Sequence, residues 1–418
     1  MKSKLSIHGG KKVREKDFGY TAPIGKEELD AVTEVIKSKR LSGFYKDFRG
    51  GDKVQKFEDD FARYIGTKHA IAVNSGTSAL HVTIAAVGIG PGDEVIVPPY
   101  TFTATVSSVL MNNAIPVFVD IEYDTFCIDA KKIGPAITKR TKAIIPVHLY
   151  GKTADMDSIT ALAQEYDLKV IEDACQTPGC FYRTKKVGSI GDAGVFSFVE
   201  TKNMVIGEGG MVTTDDDDIA QRCRMVRNHG EVWTKGKPRQ YLSNMLGYNF
   251  RMTEIEAALG IEQLKKLDNL NDIRRKNASF LQRELAGFKG IKTPVYNNGE
   301  IAHVFPILFD EKKVGISRER FMDAVNAEGV PLVPGYPHPL YMNPIFQEKI
   351  AYGDKGCPYS CPFYGESVDY RAVRCETAED ICRRVMYIRQ IHYPYTTEDM
   401  KDIVKAFSKV FDNLEELK

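Results

Sequence analysis

Apolar positions in the first half of the chain switch repeatedly between helix spacing and strand spacing. Residues 54–65 carry helical spacing, and 71–73 are a short apolar run leading into the polar segment NSGTSAL. Helical spacing returns over 78–87, a strand run over 94–97, a helix over 103–111 and a strand over 115–119. A strand at 143–147, a helix at 156–166 and strands at 169–171, 195–198 and 211–214 continue the alternation. Strands alternating with helices predict an α/β fold, a mainly parallel sheet sandwiched by helices in a large domain. The runs AIIPV and IPVFV suit it, because a parallel strand is buried on both faces and is apolar without alternation.

The pattern changes after residue 253. Thr253 and Glu256 fit a capping box, which predicts a helix running to roughly residue 267. From about residue 273 the reading is α+β, with helices at 317–326 and 396–411. A chain of 418 residues suits a large domain plus a smaller one. The division expected is 1–270, including an N-terminal arm, and 271–418. The segment GIGPGDEV looks like a nucleotide-binding loop, but the spacing of Gly88, Gly90 and Gly92 does not fit G-x-G-x-x-G. It also follows a helix and precedes a strand, the reverse of the order such a loop needs, so it reads as a turn.

Four segments carry candidate chemistry. In VFSFVETKNMVIGEGG, Lys202 follows a strand and precedes a glycine-rich turn. A lysine held rigidly and partly desolvated there is a nucleophile toward aldehydes, although a surface lysine has the same local signature. In VIEDACQ, Asp173 follows an apolar strand and so lies at the sheet edge where α/β proteins bind ligands. A carboxylate there can pair with a protonated ring nitrogen, or simply cap the next helix. Gly76, Thr77 and Ser78 open a helix whose backbone N–H groups can bind phosphate, and Ser197 adds a hydroxyl near Lys202. Ordinary N-capping explains the same residues. In PPYTFTAT, Phe102 can lie flat on an aromatic ring or belong to the core.

Charge and cysteine content remove other classes. With 57 Lys plus Arg against 56 Asp plus Glu, there is no electrostatic footprint for nucleic acid or an anionic membrane. The first eighteen residues have no apolar core and do not read as a secretory signal. The eight cysteines are then expected to be reduced thiols in the cytoplasm. Cys357, Cys361, Cys375 and Cys382 follow no standard zinc spacing, so no metal site is expected.

Taken together and in this order, NSGTSAL, PGDEVIVPPYTFTAT, PVHLYG, EDACQ, FSFVETKN with GEGG, and GYNFRMTEIEAA resemble the DegT/DnrJ/EryC1/StrS family of sugar aminotransferases. The likeness runs from about Gly50 to Glu254 and more loosely to the C-terminus; the opening SIHGGKKV is similar to a leader in some members. It implies the fold type I architecture and pyridoxal 5′-phosphate as cofactor. By resemblance Lys202 bonds the cofactor and moves the proton, Asp173 pairs with the ring nitrogen, and Gln176 lies near the phenolic oxygen. Gly76, Thr77, Ser78 and Ser197 match the phosphate cradle and Phe102 the stacking ring. Asn249 matches an asparagine that reaches the neighbouring subunit's phosphate, which implies a homodimer with shared active sites. Tyr150, Arg251, His338 and Tyr341 are candidates for contact with the acceptor, and His148 is assigned no catalytic role. The partners implied are glutamate or glutamine as amino donor and a keto-sugar or keto-cyclitol as acceptor. Similar C-terminal cysteines in relatives that aminate inosose-type cyclitols tilt the expectation toward a cyclitol or unactivated sugar.

Three other readings are open to test. A keto-sugar dehydratase on the same scaffold would carry histidine in place of Lys202. A non-catalytic regulatory protein would have no need of Lys202, Asp173 and Ser197 together. A cofactor-free lyase using Lys202 alone would leave the phosphate cradle unexplained.

Overall fold

The computed structural model describes residues 3–233 and 239–418. Strands are β1 (His69–Val73), β2 (Glu94–Val97), β3 (Ile115–Phe118), β4 (Thr141–Ile144), β5 (Lys169–Asp173), β6 (Phe181–Tyr182), β7 (Lys185–Lys186), β8 (Ala193–Ser197), β9 (Gly210–Thr214), β10 (Ile291–Lys292), β11 (Phe305–Phe309), β12 (Leu332–Pro334) and β13 (Val385–Ile388). Helices are α1 (Lys26–Ser38), α2 (Asp52–Ile65), α3 (Gly76–Ala86), α4 (Ala104–Met111), α5 (Met156–Glu165), α6 (Asp217–Arg227), α7 (Glu254–Leu285), α8 (Glu311–Val314), α9 (Arg318–Ala327), α10 (Pro344–Gln347), α11 (Glu376–Arg384) and α12 (Thr397–Asp412).

Seven strands form the large sheet in the order β1-β9-β8-β5-β4-β2-β3. Only β9 runs antiparallel to its neighbours; the pairs from β8 through β5, β4 and β2 to β3 are parallel. This is the mainly parallel α/β sheet that the alternating pattern predicts. A second sheet, β10-β11-β13-β12, is antiparallel and carries the C-terminal core. Among the described residues no helix is long and apolar enough to cross a membrane.

Several elements differ from the expected ones. The strand expected at 143–147 is β4 at Thr141–Ile144. Pro146 lacks an N–H and breaks the ladder, so Val147 keeps only an isolated bridge to Asp173. Helix α7 runs 32 residues, well past 267. From 261 to 285 it contains neither glycine nor proline to stop it. The boundary expected at 270 therefore falls inside one continuous helix. The N-terminal arm packs on the C-terminal half: Leu5 lies in its core, and the Glu328 carboxylate accepts from the N–H groups of Ser6 and Val13 at 2.8 and 3.1 Å. Residues 343–375 return to the large sheet, where Tyr370 donates to the Pro116 carbonyl at 2.9 Å and Tyr364 to Glu94 at 2.8 Å.

A buried ion cluster joins α2 to the large sheet. Glu58 accepts from Arg227 at 2.7 Å and from the Ala72 N–H at 3.0 Å, and Arg49 reaches its other oxygen at 3.1 Å. Arg227 is fully buried. Glu58→Ala would strand that guanidinium, and the expected loss of stability is about 3–5 kcal/mol. Denaturant unfolding checks this, and an unchanged midpoint would mean that Arg227 finds another partner or water.

Candidate active site

Strands β1, β2, β5 and β8 all end at one edge of the large sheet, and a cavity of about 980 Å³ opens there. The turn from β1 into α3 builds one wall. The Ser75 hydroxyl caps α3 by accepting the Ser78 N–H at 3.0 Å. Among the described residues no acceptor pairs with the N–H groups of Gly76 or Thr77, which begin the helix. They face the cavity with the positive end of the α3 dipole behind them, the arrangement that suits a phosphate. A Cβ on Gly76 would lie 2.7 Å from Ser197 Cβ and 3.2 Å from Cys175 Sγ, so only glycine lets the helix start approach β8.

Eight of the sequence candidates line this one cavity: Gly76, Thr77, Phe102, Tyr150, Asp173, Gln176, Ser197 and Lys202. Phe102 is 58 % exposed, so its ring stands free at the cavity rather than in the core. Asp173 is buried; its Oδ2 accepts from Thr105 at 2.8 Å and its Oδ1 from the Cys175 N–H at 3.2 Å. A carboxylate fixed by two donors keeps lone pairs for a ring N–H. The Gln176 Oε1 accepts the Tyr150 N–H at 2.8 Å, which orients the amide and leaves its NH₂ donors for the cavity. Such a donor suits an anionic phenolic oxygen. The Tyr150 hydroxyl lies 2.8 Å from that of Tyr100, and burial pushes the Tyr150 phenol well above its ordinary pKa. Phosphate donors, a ring-nitrogen partner, a phenolate donor and an amine in one cavity fit pyridoxal phosphate.

The other candidates lie elsewhere. Ser78 donates to Asn74 Oδ1 at 2.7 Å and braces the turn, while Ser75 lines the cavity in its place. Tyr341 is 1 % exposed; it donates to Glu379 at 2.5 Å and accepts from the Cys375 N–H at 3.1 Å, which makes it a core residue. His338 turns toward the Pro339 carbonyl, and the same loop presents Tyr336 and Pro337 to the cavity. Asn249 is exposed and accepts from Arg251 Nε at 2.7 Å, and neither residue lines the cavity of its own chain. His148 is fully buried, holding the Ala154 N–H at 3.1 Å and Glu172 at 3.1 Å.

The opposite wall has no counterpart in the sequence reading. Phe18 and Tyr20 of the N-terminal arm, Arg274 of α7, His303, Arg389 and His392 all line it. Their signals are isolated residues on segments far apart in the chain, with no shared motif. Asn271 donates to the Pro178 carbonyl at 2.9 Å and accepts from Asn203 at 3.3 Å, so Asn203 Oδ1, 3.0 Å from His303 Nδ1, accepts there. That relay places the His303 proton on Nδ1 and leaves Nε2 as an acceptor. Burial, with Lys202 nearby, holds His303 well below the usual histidine range, and burial drives His392 down to about 4. Both are uncharged at neutral pH.

Residues 23–408 match the family model described as the DegT/DnrJ/EryC1/StrS aminotransferase family. The spore coat polysaccharide biosynthesis protein SpsC of Bacillus subtilis (strain 168) is 39% identical over 380 residues, covering 88% of this chain and 95% of that protein. GDP-perosamine synthase of Caulobacter vibrioides is 41% identical over 323 residues, 76% of this chain and 84% of that one. The crystal structure of NtdA from Bacillus subtilis, with bound cofactor PMP, superposes with a TM-score of 0.80 at 30% identity, covering 96% of this chain and 87% of that chain. The chain belongs to the DegT/DnrJ/EryC1/StrS aminotransferase family and is a pyridoxal-phosphate-dependent enzyme of that kind.

Proposed function

We propose that the protein transfers an amino group from glutamate or glutamine to a keto-sugar or keto-cyclitol, with Lys202 bonding the cofactor and moving the proton. The observation that carries this reading is the gathering of Lys202, Asp173, Gln176, Ser197 and the free N–H groups of Gly76 and Thr77 around one cavity. When bound, the cofactor supplies an electron sink for the pair left as a C–H bond breaks at the amino-bearing carbon. The Asp173 carboxylate would hold the ring nitrogen protonated, and the Gln176 amide would donate to the phenolic oxygen. Lys202 Nζ takes the proton from the donor's α-carbon as general base. Phe102, exposed at the cavity, would cover one face of the ring. The names of the relatives, a polysaccharide biosynthesis protein and a GDP-sugar synthase, support a sugar-like acceptor.

The working unit in this reading is a homodimer with shared sites. Tyr241, Leu242 and Leu246 stand 72%, 56% and 76% exposed just before Asn249 and Arg251. So apolar a projection needs a cover, and a second subunit seated there would bring its Asn249 and Arg251 toward this cavity. The reading also places the protein in the cytoplasm, where its eight cysteines would stay reduced.

Three outcomes are expected. Protein loaded with pyridoxal phosphate should show a visible band that bleaches on adding L-glutamate or L-glutamine, one donor acting faster. A band that persists with both removes the aminotransferase reading for these donors. Gly76→Ala should weaken cofactor affinity about tenfold or more, in line with one lost or displaced charge-assisted contact, while the far-ultraviolet spectrum stays unchanged. Fluorescence titration of the apoprotein reads this directly, and equal affinity would mean that the helix start does not hold the phosphate. Leu246→Asp should shift sedimentation from dimer toward monomer and reduce turnover with it.

A further inference from the structure

We propose that Arg274, assisted by Arg389, is the subsite that binds the carboxylate of the amino donor. This rests on the aminotransferase reading above and adds the recognition element that reading lacks. Arg274 lies on α7, is 5% exposed, and lines the cavity. Its Nη1 donates to the His303 carbonyl at 2.8 Å, which aims the guanidinium. No carboxylate lies within ion-pair distance of Arg274 or Arg389 among the described residues. The Nε and Nη2 groups of Arg274 are neither sealed in the interior nor bonded to any acceptor there.

A buried guanidinium without a counter-ion is costly and persists where a ligand supplies the missing charge. Burial lowers the pKa of Arg274 only to about 10, so the group is still a cation at neutral pH. The half-buried histidines His303 and His392 are uncharged there, so Arg274 and Arg389 supply the positive charge of this wall. Arg274 and Lys202 line the same cavity, and a second small cleft beside it is lined by both. Two exposed acids, Glu200 and Glu208, also line the cavity, but neither forms an ion pair with either arginine.

A ligand that Lys202 must deprotonate has its carboxylate one bond from the reacting carbon, so a guanidinium fork in the same cavity suits a carboxylate. Arginine binds it with parallel N–H donors. A phosphate linked to a sugar acceptor is the other anion that such a fork takes, and the test separates the two.

The experiment uses the cofactor-loaded enzyme with glutarate and pyrophosphate as unreactive probes, titrated by calorimetry, alongside the donor concentration dependence of band bleaching. Wild type should bind glutarate in competition with the donor. Arg274→Gln should weaken glutarate binding and raise the half-saturating donor concentration about 10- to 100-fold, the range for a lost charged hydrogen bond, with little change in pyrophosphate binding. Arg274→Lys should recover part of the loss, and Arg389→Gln, on an exposed residue that does not endanger folding, should show a smaller shift in the same direction. Glutarate affinity and donor dependence left intact in both Arg274→Gln and Arg389→Gln overturn the proposal. Loss of pyrophosphate binding alone also overturns it and gives the fork to phosphate. If the wild-type band bleaches with neither donor, the aminotransferase reading fails, and the glutarate affinities of wild type and variants still decide the subsite.

Discussion

The site depends on how closely three stretches of backbone approach at one edge of the large sheet. A Cβ on Gly210 would lie 2.3 Å from the Ser75 carbonyl oxygen, and one on Gly76 would lie 2.7 Å from Ser197 Cβ. The contact follows from β9 running antiparallel between β1 and β8, which sets Gly210 opposite both Val73 and Ser197. The loop carrying Lys202 therefore leaves β8 and re-enters β9 at the place where α3 begins. Bonds from Phe198 N–H to the Gly209 carbonyl at 2.9 Å and from Lys202 N–H to the Val199 carbonyl at 2.8 Å close that loop on itself. An amine and a row of unpaired N–H groups are thus held by sheet pairing rather than by a free loop.

Strand periodicity does related work on the acid. Adjacent residues of β5 point to opposite faces, so Asp173 reaches the cavity while Glu172 turns into the interior. Glu172 is fully buried and accepts from the N–H groups of Gly188, Ile190 and Gly191 at 2.8, 2.7 and 2.8 Å, and from His148. Several donors offset the cost of burying that charge. They also fix the end of β5, and hence the direction in which Asp173 points.

Much of this was legible in the sequence because the cradle, the acid and the lysine sit on short motifs at strand ends. An apolar run followed by Gly-Thr-Ser, or by Asp-Ala-Cys-Gln, carries its own geometry. The errors fall where tertiary contacts decide. Ser78 is a plausible donor locally, but its hydroxyl is taken by Asn74 Oδ1 at 2.7 Å within the turn, and Ser75 lines the cavity. Tyr341 sits on a loop of suitable composition, but Phe118 meets its ring edge-on at 5.6 Å and Glu379 takes its hydroxyl. Arg274 lies mid-helix among polar neighbours, where a guanidinium reads as solvated surface until β11 and its preceding loop cover it.

The two walls of the cavity are consequently built by different rules. The cradle comes from consecutive turns of one sheet and tolerates little change. The facing wall is assembled from α7, the 303 loop, the segment after β13 and the N-terminal arm, each anchored outside the cavity. Arg14, for example, pairs with Asp399 and Asp402 at 2.9 Å each and fixes the arm before it reaches Phe18 and Tyr20. Such a wall can exchange side chains without disturbing the cofactor's contacts, which is where a scaffold shared by many activities has room to choose substrates. His303 shows the constraint that remains. Burial keeps it uncharged, so it adds no positive charge beside Lys202, and the asparagine relay leaves its Nε2 lone pair as an acceptor on a wall otherwise supplied with cationic donors.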